Sequence, residues 1–206
     1  MYQAYSEEKE EPYVNGPAKE VLRYREALWE GHMFLEHSKK FSLEYFISLY
    51  QIIKQTSDRL RPEYARIYIK QGGSGPNAGK AIYTPPREKK ILEAKLDNLI
   101  EYVNDDEKYP ADPLIKMAIA NYQFEAIHPV RDGNGRAGRI FNIHILTQKE
   151  LLDLPLLYLS RYIIENKSTY YSLLAGVTQR AQWKEYLLNM LKAIEVTSNL
   201  TFDKIN

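Results

Sequence analysis

The sequence predicts a mainly α protein: a helical bundle with a single β-hairpin beside it. Three observations carry that prediction. Apolar residues recur at helical spacing through most of the chain, helix-start residues stand in front of several of those runs, and one stretch near residues 66–84 is β-prone and rich in turn residues instead.

The elements follow in order. After the turn Asn15-Gly16-Pro17, residues 18–36 carry Val21, Leu22, Ala27, Leu28 and Phe34 and read as a helix. Ser42 is placed as an N-cap for a second helix bearing Leu43, Phe46, Ile47, Tyr50 and Ile53. Arg66–Ile69 and Ala81–Thr84 are short β-prone runs around a Gly-, Ser- and Asn-containing segment, and Pro85-Pro86 closes the second. They read as a hairpin with a flexible tip, either a plain surface feature or an edge on which another chain docks. A helix is expected from about Arg87 to Val103, with Ile91, Leu92, Leu96, Leu99 and Ile100 on one side. Asp112-Pro113 supplies an N-cap and a first-turn proline for a helix to about Ala126. Ser168 is assigned as a further N-cap, and Trp183, Tyr186, Leu187, Met190, Leu191 and Ile194 form one apolar stripe of the last helix. With no repeat and no low-complexity linker, one domain over 1–206 is expected, its core at about 43–196.

Composition narrows the function. The 206 residues are 44% hydrophobic and 27% charged, and 28 basic against 27 acidic side chains leave a net charge of +1. Such a balance gives no general attraction to nucleic acid or to an anionic membrane. The absence of cysteine excludes disulfides, thiolate catalysis and cysteine metal sites. The acidic, polar stretch Met1–Glu11 has no apolar signal region, and no apolar run is long enough to span a bilayer, so a cytoplasmic location is expected. Seventeen tyrosines are many, but composition alone assigns them no role. Gly75–Lys80 resembles a phosphate-binding P-loop and fails as one. Ser74 stands where the first glycine is needed, and Ala81 follows Lys80 where a hydroxyl should reach magnesium.

Residues His128–Arg139 concentrate the groups of a phosphate-handling site. Gly133, Asn134 and Gly135 can turn successive backbone N–H groups toward an anion at the start of the helix predicted from Arg136 to Gln148. Arg136 and Arg139, three apart, share one face of its first turn. Asp132 is an oxygen ligand beside that anion site, and His128 is a titratable group suited to a general base. Each residue alone has a structural explanation; their coincidence within twelve positions points to chemistry.

The segment His128-Pro129-Val130-Arg131-Asp132-Gly133-Asn134-Gly135-Arg136 resembles the Fic family signature, with the second family arginine at Arg139. The similarity extends through Leu114–Ile127, Leu157–Tyr162, Tyr170-Tyr171 and, upstream, Lys19–Arg25. It implies a Fic fold whose hairpin, at about 66–84, is a flap holding a target segment through Ile82, Tyr83 and Thr84. It implies a protein adenylyltransferase with ATP as substrate and Mg2+ as cofactor. His128 would deprotonate a Ser, Thr or Tyr hydroxyl of the target and Asp132 would hold the metal. The amides around Gly133 and Gly135, with the Asn134 side chain, would bind the α- and β-phosphates; Arg136 and Arg139 would contact the phosphates, Arg139 the last one. Tyr170, Tyr171 and Thr178 fall where the family lines its adenine pocket.

Two departures stand out. Val130 replaces the usual Phe, a loss of volume that neighbours are expected to refill. The family's inhibitory Ser/Thr-x-x-x-Glu helix would fall just before Met1, and Ser6–Glu10 is read as a solvated charge run. The chain is therefore expected to be constitutively active or restrained by another protein. Removal of AMP from modified proteins, which usually needs the inhibitory Glu, is set aside. The alternatives are a Doc-like phosphotransferase, against which Gly135 and Arg139 argue, and a non-catalytic nucleotide-binding module. Expected partners are a target protein at the flap, an inhibitory protein (unless an N-terminal inhibitory helix has been lost), and a second copy in a homodimer. Nucleic acid and membrane are not expected.

Overall fold

The computed structural model describes residues 16–65, 67–70 and 81–205. Eight helices occur among them: α1 (Gly16–Ser38), α2 (Leu43–Lys54), α3 (Lys89–Asn104), α4 (Pro113–Ile127), α5 (Asn134–Gln148), α6 (Leu159–Glu165), α7 (Lys167–Arg180) and α8 (Trp183–Ile205). Between α2 and α3, β1 (Ile69–Lys70) pairs antiparallel with β2 (Ala81–Tyr83). Of the hairpin expected over 66–84, only this short pair is present, with an irregular register between Ile69 and Lys70; a full flap is not seen among the described residues. The tip at 71–80, the Gly75–Lys80 motif and Ser6–Glu10 all lie outside them.

Local chemistry sets most boundaries. Ser42 Oγ accepts from the Tyr45 N–H at 3.3 Å to open α2, and the left-handed Gln55 (φ 51°) ends it. Asp112 Oδ1 accepts from Leu114 and Ile115 at 2.9 and 3.3 Å, with Pro113 in the first turn of α4. Two expectations need correction. Helix α3 starts at Lys89, where Glu63 from the preceding segment accepts the Lys89 N–H at 2.8 Å, and Ile91 is exposed, leaving Leu92, Leu96, Leu99 and Val103 as the buried side. Ser168 caps nothing: the chain breaks between α6 and α7 at Asn166, whose side-chain amide turns back to the Tyr162 carbonyl at 2.9 Å.

Helices α4 and α5 form the centre, flanked by α3 and α8 on one side and by α1 and α2 on the other. An edge-to-face and stacked aromatic cluster of Phe41, Tyr45, Phe46, Phe124 and Phe141 ties α2, α4 and α5 together, with neighbouring centroids such as Phe46–Phe141 at 4.9 Å. Several buried polar groups bond to one another across helices. Asn121 donates to Tyr170 Oη at 2.8 Å and Tyr186 Oη at 2.7 Å and accepts from Asn142 at 2.8 Å, joining α4, α5, α7 and α8. The fully buried ammonium of Lys116 meets Asp106 at 2.6 Å and the Tyr102 carbonyl at 3.1 Å. No helix among the described residues is long and apolar enough to cross a membrane.

Where α1 crosses α5, Gly31 allows contact that no larger residue permits. A Cβ there would lie 2.7 Å from His144 Cε1 and 2.8 Å from Leu49 Cδ2. His144 cannot step aside, because Tyr45 Oη donates to its Nδ1 at 2.6 Å while its Nε2–H donates to the Leu28 carbonyl at 2.9 Å. Gly31→Ala is therefore expected to destabilise the protein by about 1–3 kcal/mol in urea unfolding, the usual cost of overpacking.

Candidate functional site

The site is built on the six-residue passage from α4 to α5. Helix α4 ends at His128, whose left-handed backbone (φ 51°, ψ 60°) reverses the chain while its N–H still donates to Phe124 O at 3.0 Å. Arg61, only 3% exposed, fastens the turn from behind. Its guanidinium donates to the carbonyls of His128 at 2.7 Å, Ile127 at 3.3 Å and Pro86 at 2.5 Å, and its own N–H donates to Pro129 O at 2.9 Å. The same side chain thus joins the loop to the segment that follows β2. Across the loop, Asn134 Oδ1 accepts the Val130 N–H at 3.1 Å and its amide donates to Val130 O at 2.8 Å. The expectation that the Asn134 side chain binds phosphate is therefore corrected. It is 1% exposed and spent on closing the loop, and only its backbone reaches the cleft. Val130 is itself buried, at 2% exposure, beneath this staple.

Gly133 adopts φ 88°, a conformation that favours glycine, and its carbonyl accepts the first helical N–H groups, from Arg136 and Ala137, at 3.1 and 2.9 Å. Asn134 and Gly135, in the first turn of α5 where N–H groups lack an intrahelical acceptor, line the cleft at the positive end of the helix. His128, Asp132, Arg136 and Arg139 line the same cleft, of about 560 Å³. Its far wall comes from α6 and α7: Ile163, Ile164, Lys167 and Tyr171.

The electrostatics are uneven. Burial lowers His128 to about 4, assisted by the Arg61 charge and opposed by the Glu125 carbonyl and Asp132, so the imidazole is neutral at pH 7; its Nδ1 has no hydrogen-bond partner among the described residues. Asp132 is held below the usual carboxylate range, chiefly by the hydrogen bond from Lys54 at 2.5 Å, and its other oxygen accepts the Gly133 N–H at 2.6 Å. Arg136 lies 3.6 Å from Glu20 and 4.0 Å from Asp132. Arg139 donates from Nε to Ser160 Oγ at 3.1 Å. Glu125, 7% exposed, is raised by burial to about 7 against the opposing charge of Arg139. Its Oε1 lies 2.9 Å from where a Cβ at Gly138 would stand, which explains the glycine between the two arginines.

The residues expected at the adenine pocket part company. Tyr171 lines the cleft and also a small adjoining hollow of about 30 Å³, where Thr178, Tyr122 and Tyr83 meet. Thr178 Oγ1 pairs with Tyr122 Oη at 3.0 Å. Tyr170 does not face either space. It is 4% exposed, its hydroxyl is bonded to Asn121, and its role is in the core. Of the expected flap residues, Tyr83 is half-buried against the hollow, Thr84 is exposed, and the Ile82 side chain lies outside the described residues. Arg61, Lys54, Glu125, Ser160 and Lys167 went unnoticed in the sequence; none has a spacing that ties it to the loop, and only Glu125, three before His128, was near enough to invite the question.

Comparison with known proteins bears on this geometry. The Fic/DOC family pattern matches residues 40–146, more than half of the chain. The chain belongs to the Fic/DOC family. A 58-residue segment is 36% identical to protein adenylyltransferase fic-1 of Caenorhabditis briggsae, covering 28% of this chain and 11% of that protein. Among solved structures, a Fic family protein from Desulfovibrio desulfuricans G20 superposes with a TM-score of 0.74 at 20% identity, covering 98% of this chain and 58% of that one. Fic-1 from Caenorhabditis elegans superposes with a TM-score of 0.67 at 18% identity, over 97% of this chain and 55% of that one. These structures share the Fic fold, and this Fic domain spans little more than half of their length.

Two outcomes are expected. Asn134→Ala removes both bonds to Val130 and leaves that buried peptide unpaired, lowering stability by about 1–3 kcal/mol in thermal or urea unfolding. In an NMR titration the His128 ring should show a midpoint near 4 instead of 6.5. Because the folded value is depressed, the stability it contributes is full above pH 6.5 and is lost as pH falls toward 4. A midpoint near 6.5 would mean that the ring is solvated.

Proposed function

We propose that this Fic domain is a protein adenylyltransferase, moving AMP from ATP to a Ser, Thr or Tyr hydroxyl of a target protein. The observation that carries the reading is the convergence of His128, Asp132, Arg136, Arg139 and the amides of Asn134 and Gly135 on one cleft. The nematode relatives bearing the adenylyltransferase name support the same class.

In this reading the amides at the start of α5, with Arg136, hold the α- and β-phosphates, and Arg139 meets the last phosphate, leaving the α-phosphorus toward His128. Neutral His128 takes the proton from the target hydroxyl as its oxygen bonds to the α-phosphorus and the bond to pyrophosphate breaks. The base extends toward Tyr171 and the hollow beside Thr178. No cluster of three His, Asp or Glu residues occurs among the described residues, and Asp132 is the carboxylate in the cleft. One carboxylate with phosphate oxygens and water fits magnesium arriving with the nucleotide. Bound there, the ion would neutralise charge on the phosphates, and Lys54 would yield Asp132 to it. The target protein docks at the β1–β2 edge, which includes Tyr83, and at the adjoining Thr84. Restraint by an inhibitory protein, and assembly as a homodimer, belong to the same proposal.

Incubation with labelled ATP and magnesium, with and without a cell lysate, tests it. Labelled protein should carry an AMP mass adduct, and His128→Ala should cut labelling by a factor on the order of 10²–10⁴. A phosphate adduct would move the assignment to phosphoryl transfer, and labelling that His128→Ala leaves intact would remove the catalytic role.

A further inference from the structure

Helix α1 lies behind two of the arginines that line the cleft, outside the motif. Glu20 and Tyr24 lie one turn apart and share a face of α1. That face approaches both arginines of α5, Arg136 directly and Arg139 through Ser160. Glu20 stands 3.6 Å from Arg136, and Tyr24 Oη lies 2.9 Å from Ser160 Oγ, which in turn accepts Arg139 Nε at 3.1 Å. The chain Tyr24–Ser160–Arg139 therefore runs from α1 through the start of α6 to α5. Ser160 makes no helix-capping bond, although it sits in the first turn of α6 where a serine commonly does; its hydroxyl is committed to Tyr24 and Arg139 instead. Burial pushes the Tyr24 phenol up, so it remains a neutral hydroxyl that needs a partner, and Ser160 is that partner.

The grip on Arg139 is one-sided. Ser160 holds the Nε edge, while one terminal nitrogen lies 3.3 Å from where a Cβ at Gly135 would stand, beside the backbone that lines the cleft. We infer that Ser160 and Tyr24 are positioning residues for Arg139, holding its inner edge so that its terminal nitrogens face the place of the last phosphate of a bound nucleotide. The inference rests on the reading of Arg139 given under the proposed function. It adds that recognition of that phosphate depends on α1 and α6 as well as on the loop.

Binding of two nucleotides that cannot donate AMP, α,β-methylene-ATP and α,β-methylene-ADP, tests it on the whole chain by calorimetry with magnesium. Ser160→Ala should lower the ratio of triphosphate to diphosphate affinity by roughly three- to tenfold, as loss of one hydrogen bond in the relay allows. Tyr24→Phe should shift it in the same direction by less, Ser160→Thr should restore it, and diphosphate affinity should stay unchanged throughout. Equal weakening of both nucleotides would assign Ser160 a merely structural role and overturn the inference. So would a ratio that neither variant moves while Arg139→Ala abolishes the preference; in that case Arg139 keeps its reading. If Arg139→Ala itself leaves the ratio unchanged, the last-phosphate reading of Arg139 falls, and the inference with it.

Discussion

The clasp between the Asn134 amide and the Val130 backbone is the constraint on which the rest of the site depends. Two central helices must stop and restart within six residues, and the Pro129-Val130 part of the chain between them is buried. Backbone groups in such a passage need partners, since each one left unpaired costs about 1–3 kcal/mol. Asn134 supplies two bonds at once, and Arg61 supplies further donors from the other side. With the loop closed in this way, the open amides of α5 and the His128 ring face one cleft. In the proposed reading, the asparagine serves an anion site by shaping the backbone that forms it.

A second theme is charge already present in the cleft. Asp132 is bonded to Lys54, and Arg136 stands near Glu20 and Asp132. These pairs involve a largely exposed carboxylate on one side, and exposed pairs contribute little net stability, so under the proposed function a phosphate or a metal would exchange with them at small cost. Glu125 is different. It is buried behind Arg139, close enough to neutrality that its ionisation turns on the arginine beside it. The raised value means that the folded state favours the protonated form, so the stability it contributes is full below the ordinary carboxylate range and is lost as pH rises toward 7. The two arginines of the motif are thus held by unlike means, one against solvent-facing carboxylates and one against a buried acid and a hydroxyl relay.

Helix boundaries were legible wherever a single residue supplies the cap. Ser42 and Asp112 were found because a short side chain in front of an apolar run bonds to amides two or three residues ahead. Ser168 misled, because a cap-forming residue is also an ordinary helix residue, and Asn166 with its turned amide takes the break two positions earlier. Glu63, which receives the first amide of α3, is distant in sequence and could not be seen that way. Tyr170 was misplaced for a related reason. Neighbouring tyrosines on a helix point to different sides, and the bond to Asn121 turns Tyr170 inward while Tyr171 faces the cleft.

The sequence by itself determined the mainly helical fold, the family and the chemistry-bearing loop. Those depend on near neighbours: helical periodicity, a cap, a glycine that accepts φ 88°, and a run of residue types within twelve positions. Only the tertiary structure decided which of those side chains are available. It turned the Asn134 amide into a staple, drew Tyr170 into the core, lowered His128 by burial, and brought Arg61, Lys54, Ser160 and Tyr24 to the loop from other elements. Availability is set by burial and by partners far away in the chain, and neither is encoded in local spacing.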